Sequence, residues 1–137
     1  MPSPLKLVHT CMRVRDIDAS LRFYEALGLE RRGKLDFGSA YNIYMGVPGD
    51  GDTLELTVNE GRDEPYDLGE GYNHMAITVD DIQATVAELA ERGIEPEKPP
   101  YHPGDRPEIG PICFVQDPDG YRIEIIDGGA FPTPQDA

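Results

Sequence analysis

The chain has 137 residues, with 12 Lys and Arg against 26 Asp and Glu, for a formal net charge of −14 at pH 7. The length suits one domain with a substantial core, and the acidic balance, with a pI near 4.4, argues against nucleic-acid backbones and anionic membrane surfaces as partners. No apolar run approaches the ~20 residues that span a bilayer, the first residues lack a signal-peptide pattern, and Cys11 and Cys113 form no disulfide framework and no CxxC motif, so a reducing cytoplasm is the expected setting.

In chain order, the first β-prone run is His9 to Val14. Asp16-Ile17-Asp18 then supplies helix N-cap chemistry and negative charge at the positive end of the helix dipole. Leu21, Tyr24, Ala26 and Leu27 follow on a helical spacing, and Gly28 closes the helix. Strands are expected near Tyr41 to Met45 and Thr53 to Val58, joined by the turn Pro48-Gly49-Asp50-Gly51. Glu60 to Gly71 is an acidic linker.

The pattern then recurs. His74 to Val79 is β-prone, Asp80-Asp81-Ile82 caps a second helix with apolar Ile82, Val86, Leu89 and Ala90, and Gly93 ends it. Glu95 to Pro111 carries Pro96, Pro99, Pro100, Pro103, Pro107 and Pro111 and reads as a stiff, long loop. Ile112 to Val115 and Tyr121 to Ile126 flank Asp117-Pro118-Asp119-Gly120, a strong hairpin turn. The tail from Gly128 to Ala137 reads as frayed.

Aligned without a gap, the two copies share His9/His74, Val14/Val79, Asp16/Asp81, Ile17/Ile82, Ala19/Ala84, Gly28/Gly93 and Glu30/Glu95. Leu54-Glu55-Leu56 and Ile123-Glu124-Ile125 match later, the second copy being longer between its helix and its last strand. An internal duplication of this kind sets the architecture. The expected fold is α+β, with two tandem βαβββ modules, about 5–59 and 72–127, in a single 1–137 domain. The second strand of each module has the weakest pattern.

Equivalent points of the two copies carry His9 and His74, then Glu55 and Glu124. Imidazole and carboxylate both bind divalent metals. Strand alternation puts His9, Cys11 and Arg13 on one face and Val8, Met12 and Val14 on the other. Glu55 lies between two leucines and Glu124 between two isoleucines. If those neighbours face the core, both carboxylates point to the opposite side of the sheet, with Arg122 and Ile126 beside Glu124. Taken singly, a strand His or Glu is most often a surface residue. The joint occurrence at repeat-equivalent positions is what points to a metal.

The stretches H-T-C-M-R-V-R-D-I (9–17), F-Y-E-A-L-G-L (23–29), L-E-L-T-V-N (54–59), Y-D-L-G (66–69), H-M-A-I-T-V-D-D (74–81) and Q-D-P-D-G-Y-R-I-E-I-I (116–126) resemble the vicinal oxygen chelate superfamily and, within it, glyoxalase I (lactoylglutathione lyase). The resemblance covers most of residues 5–127. It implies a curved mixed sheet around one divalent metal held by His9, Glu55, His74 and Glu124, with nickel or cobalt favoured and zinc a candidate. It implies a homodimer with shared sites, His9 and Glu55 coming from one subunit and His74 and Glu124 from the other.

The same resemblance implies isomerisation of a methylglyoxal–thiol hemithioacetal to a lactoylthiol thioester. Glu124 would be the main base and Glu55 its symmetric partner. Arg13, Asn59 and Lys98 match positions that bind the carboxylate-bearing ends of the thiol. The family has an Arg shortly before the second His, where this chain has Glu70, and the loop with Tyr101, His102 and Arg106 is lengthened. The thiol is therefore glutathione or another low-molecular-weight thiol. Two other readings belong to the same superfamily: an epimerase or dioxygenase, and a non-enzymatic drug-binding resistance module. The four-ligand set argues against a two-His, one-carboxylate dioxygenase and against a module without metal ligands.

Overall fold

The computed structural model describes residues 4–129 and 131. Two compact units divide the chain, Met1–Asp67 and Leu68–Ala137. The boundary falls inside the acidic linker. Most of the expected tail lies outside the described residues.

The first unit runs β1 (Thr10–Arg13), α1 (Ile17–Leu27), β2 (Glu30–Asp36), β3 (Ala40–Gly46) and β4 (Asp52–Asn59). Its four strands lie in the order β1-β4-β3-β2. β1 joins β4 in parallel, and the other pairs are antiparallel. β4 is thus paired on both sides. Asp16 caps α1 by accepting the Ala19 N–H at 3.1 Å. Gly28 ends the helix in the left-handed region, φ 109°, a conformation that costs a residue with a Cβ.

Burial sorts the strands by face. Met12, Val14, Leu54 and Leu56 are buried, with Leu21 and Tyr24 of α1. Cys11 and Arg13 alternate with them and are exposed. Val8 departs from the expected apolar face. It precedes β1, where no pleat orients it, and is 60% exposed.

The second unit runs β5 (His74–Val79), α2 (Ile82–Glu91), a short 3₁₀ turn (Pro103–Asp105), β6 (Ile112–Gln116) and β7 (Arg122–Asp127). Its sheet has the order β5-β7-β6, with β5 parallel and β6 antiparallel to β7. β7, like β4, is the strand paired on both sides. Asp81 caps α2 through the Ala84 N–H, and Asp127 accepts the Ile82 N–H at 2.7 Å, tying the end of β7 to the start of the helix. Gly93 follows α2 with φ 77°. The hairpin turn forms as expected: Asp117 accepts the N–H groups of Asp119 and Tyr121.

The plan of an α+β chain with two mixed-sheet modules holds. In the second module the second strand is reduced to one bridge, Tyr101 to Ile112. The prolines explain the loss, because each removes a ladder donor and fixes φ. The loop nonetheless lies along β6, with Glu97 N–H on Phe114 O at 2.8 Å and Tyr101 N–H on Ile112 O at 2.9 Å.

Leu56 has no solvent exposure and sits in the middle of β4. Leu56→Ala should therefore cost about 2–5 kcal/mol in urea unfolding. Removing the exposed helix cap in Asp81→Ala should cost about 1 kcal/mol. Equal losses from the two changes would contradict this placement of the core.

Candidate metal centre

Each sheet presents a glutamate from within its doubly paired strand. Glu55 stands on β4 between buried Leu54 and Leu56, and Glu124 on β7 between buried Ile123 and Ile125. The apolar neighbours take one face, so the carboxylates take the other. A histidine from the parallel neighbour strand meets each. His9 lies just before β1, and its Nε2 is 3.2 Å from Glu55 Oε2. His74 opens β5, and its Nε2 is 3.1 Å from Glu124 Oε1. Side-chain exposures are 32% and 14% for His9 and Glu55, and 30% and 14% for His74 and Glu124. The duplication seen in the sequence is therefore a duplication of His–Glu pairs.

An aromatic ring completes each pair. Tyr44 is the cross-strand partner of Glu55, and its ring meets His9 edge-on at 5.8 Å. Phe114 is the cross-strand partner of Glu124, and its ring meets His74 edge-on at 5.0 Å.

The donor chemistry suits a divalent ion. His74 Nδ1 contacts Asn73 Oδ1, an acceptor that calls for the ring proton on Nδ1. The ring Nε2 faces the Glu124 oxygen at 3.1 Å, a spacing at which a proton or a metal can join the two. Neighbouring ligand atoms in an octahedral shell with bonds of about 2.1 Å lie about 3.0 Å apart. Both His–Glu pairs have that spacing. Among the described residues no three His, Cys, Asp or Glu side chains cluster. Within each unit the donor set is one His and one Glu.

Around Glu55 runs a chain of hydrogen bonds. Tyr44 O–H donates to Glu55 Oε2 at 2.6 Å. Asn42 Nδ2 donates to the Tyr44 oxygen at 3.2 Å, and Thr57 Oγ1 donates to Asn42 Oδ1 at 2.7 Å. Cys11 Sγ is 3.2 Å from Thr57 Oγ1. The Tyr44 hydroxyl above all holds the Glu55 carboxyl below its ordinary range; Cys11 and His9 add to this, and burial opposes it. The Cys11 thiol is pushed up, first by burial.

Other expected site residues divide. Arg13 on β1 and Asn59 on β4 lie on the Glu55 face of their sheet, and Asn59 Oδ1 accepts from Tyr66 O–H at 3.3 Å. Lys98 belongs to the proline-rich loop of the second unit, its Nζ 3.8 Å from the centre of the Tyr101 ring. His102 Nδ1 meets Ile109 O at 2.7 Å, and Arg106 pairs with Glu108, so these loop side chains contact the loop itself. Tyr24 is fully buried core. Glu97, which the sequence did not single out, grips the Arg122 guanidinium at 2.7 and 2.9 Å and accepts from Gln116, and Arg122 lies 3.9 Å over the Phe114 ring.

A model of the Glyoxalase/Bleomycin resistance protein/Dioxygenase superfamily matches residues 6–125. The chain belongs to this superfamily. Among superfamily proteins, it is 40% identical over 125 residues to a probable lactoylglutathione lyase of Synechocystis sp., covering 88% of this chain and 93% of that one. It is 36% identical over 130 residues to a lactoylglutathione lyase of Haemophilus influenzae, covering 90% and 93%. The solved glyoxalase I of Leishmania major, described as trypanothione-dependent, superposes with a TM-score of 0.76 at 32% identity, covering 90% and 87%. This superfamily member is thus similar in sequence to all three, and in fold to the Leishmania major enzyme, over most of its length.

The Tyr44 bond makes a pH prediction for the metal-free protein. Because the Glu55 carboxyl titrates low when folded, its contribution to stability is present above the unfolded carboxyl range and is lost as pH falls through the lowered value. Tyr44→Phe should move the Glu55 midpoint upward in a carboxyl ¹³C NMR titration. An unmoved midpoint would show that the hydroxyl is not what holds the carboxylate.

Proposed function

We propose that this protein is a metal-dependent glyoxalase I, which isomerises the hemithioacetal of methylglyoxal and a low-molecular-weight thiol to the lactoylthiol thioester. The observation that carries the reading is the matched His–Glu pair in each unit, in a chain 40% and 36% identical to the two lactoylglutathione lyase relatives over most of their length. One divalent ion would be held by His9, Glu55, His74 and Glu124, with nickel or cobalt favoured over zinc. The homodimer with shared sites groups His9 with Glu55 and His74 with Glu124, which is the grouping found within the units.

The reaction moves one hydrogen between adjacent carbons. The carbon bearing sulfur and hydroxyl loses its C–H proton, the neighbouring carbonyl carbon gains it, and the hydroxyl proton passes from the first oxygen to the second. No atom or electron is gained or lost. A bound dication supplies Lewis-acid stabilisation of the negative charge on the two oxygens. Glu124 accepts the carbon-bound proton and returns it to the neighbouring carbon. Its flanking isoleucines hold the strand in the core, so the carboxylate keeps its place on the open face. His9 and His74 would hold the ion, with Asn73 against the ring of His74. Arg13 and Asn59 would engage the polar end of the thiol, and Lys98 a further carboxylate once it leaves the Tyr101 ring.

The thiol is a separate question. Glu70 is exposed and stands where the family pattern has an Arg, and the similar Leishmania major enzyme is described as trypanothione-dependent. The substrate class is therefore a thiol hemithioacetal, with glutathione or another low-molecular-weight thiol as the carrier. Among the described residues no helix is long and apolar enough to cross a membrane, and a cytoplasmic setting is proposed.

The test is to strip the protein with chelator, add back nickel, cobalt or zinc, and follow thioester formation from methylglyoxal with glutathione and with other thiols. Turnover should depend on metal, and Glu124→Gln should lower kcat by about 10²–10⁴-fold. Stoichiometric metal binding without thioester from any thiol would reject the isomerase. No metal binding would reject the centre itself.

A further inference from the structure

The two His–Glu pairs match in geometry and differ in surroundings. In the first unit the residues beside Glu55 on its face are Cys11 and Tyr44, directly paired with it, and the next pair, Thr57 with Asn42. All four are polar, and they form the hydrogen-bond chain that ends on Glu55. In the second unit the register-equivalent residues beside Glu124 are Ala76 and Phe114, then Ile126 with Ile112. All four are apolar. At these four positions the groups around Glu55 are polar and those around Glu124 cannot donate; the polar neighbours on the other side of Glu124, Arg122 and Gln116, both donate to Glu97.

The ring positions make the contrast sharpest. Tyr44 and Phe114 occupy the same register position, both edge-on to their histidine. They differ by one hydroxyl, and that hydroxyl is 2.6 Å from Glu55 Oε2. The cation near Glu124 does not replace it. Arg122 directs Nε and Nη2 to Glu97 and Nη1 to Asn73. The Glu124 carboxylate meets His74 Nε2 at 3.1 Å, and Arg122 acts on it through charge and not through a hydrogen bond.

Resting on the function proposed above, we propose that Tyr44 is a positioning residue that fixes Glu55 as a permanent ligand, while the bare ring of Phe114 leaves Glu124 able to turn and carry the proton. A carboxylate that moves a proton between two carbons is slowed by any short hydrogen bond it has to break at each turnover. A carboxylate that only holds the ion gains from one. The two half-sites thus take different work because one has a polar surround and the other an apolar one.

The experiment compares Tyr44→Phe and Phe114→Tyr with wild type, each change being a single hydroxyl at a partly exposed position. Metal affinity is measured by competition titration, the cobalt-loaded visible absorption spectrum is recorded, and kcat and KM are determined. Tyr44→Phe should weaken metal binding by roughly tenfold or more and alter the cobalt spectrum. Phe114→Tyr should bind metal within about twofold of wild type and lower kcat by roughly tenfold or more, KM being little changed. Wild-type turnover with both variants indistinguishable from it would overturn the division of labour and leave the enzyme assignment intact. The two variants exchanging these effects would also overturn it. Absence of metal-dependent turnover in the wild type would overturn the assignment and, with it, the division.

Discussion

The structure depends on one constraint, repeated twice: a carboxylate placed in a strand that is paired on both sides and whose neighbours are buried. Leu54 and Leu56 on β4, and Ile123 and Ile125 on β7, have almost no exposure. Alternation then leaves Glu55 and Glu124 only one face to occupy. The strand cannot slip by one residue, because a slip would bury the carboxylate and expose its apolar neighbours. Packing of the core thus fixes the chemistry on the far side of the sheet. The parallel pairing of β1 with β4 and of β5 with β7 brings the histidine to the same spot in both units.

Much of this was legible in the chain. The duplication shows in His9/His74 and in the capping aspartates, because a helix start, like a histidine paired with a glutamate, needs a particular residue type. Asp16 and Asp81 cap as expected, and Gly28 and Gly93 take the left-handed backbone that closes each helix. The His–Glu pairing follows from strand parity. The second strand of the second module was not legible as lost, although its prolines were in view. Whether such a segment forms a ladder or a single bridge depends on which N–H groups still reach β6.

The bond from Tyr44 to Glu55 is not visible in the sequence. The signal lay in cross-strand register, which the sequence does not state. Once Tyr41 to Met45 is paired antiparallel with β4, Tyr44 has to face Glu55. Glu97 was missed for a similar reason, since its grip on Arg122 bridges a loop and a strand far apart in sequence. Lys98 shows the converse. Its family position suggested a ligand contact, but its ammonium rests on the Tyr101 ring, where a cation on an aromatic face gains about 0.5–1 kcal/mol at an exposed site. That hold is weak enough for a carboxylate to draw the side chain away.

The proposal on which the functional reading rests is that a His–Glu pair of each kind, His9 with Glu55 and His74 with Glu124, would hold the same ion. The most direct measurement is a metal titration of wild type, His9→Ala and His74→Ala under identical conditions, with stoichiometry and affinity read together. The account predicts one ion per pair of half-sites in the wild type and strong loss of binding from either substitution, because each removes a ligand of the same ion. Retention of tight binding in one variant, or two independent ions per chain each lost by its own substitution, would contradict it.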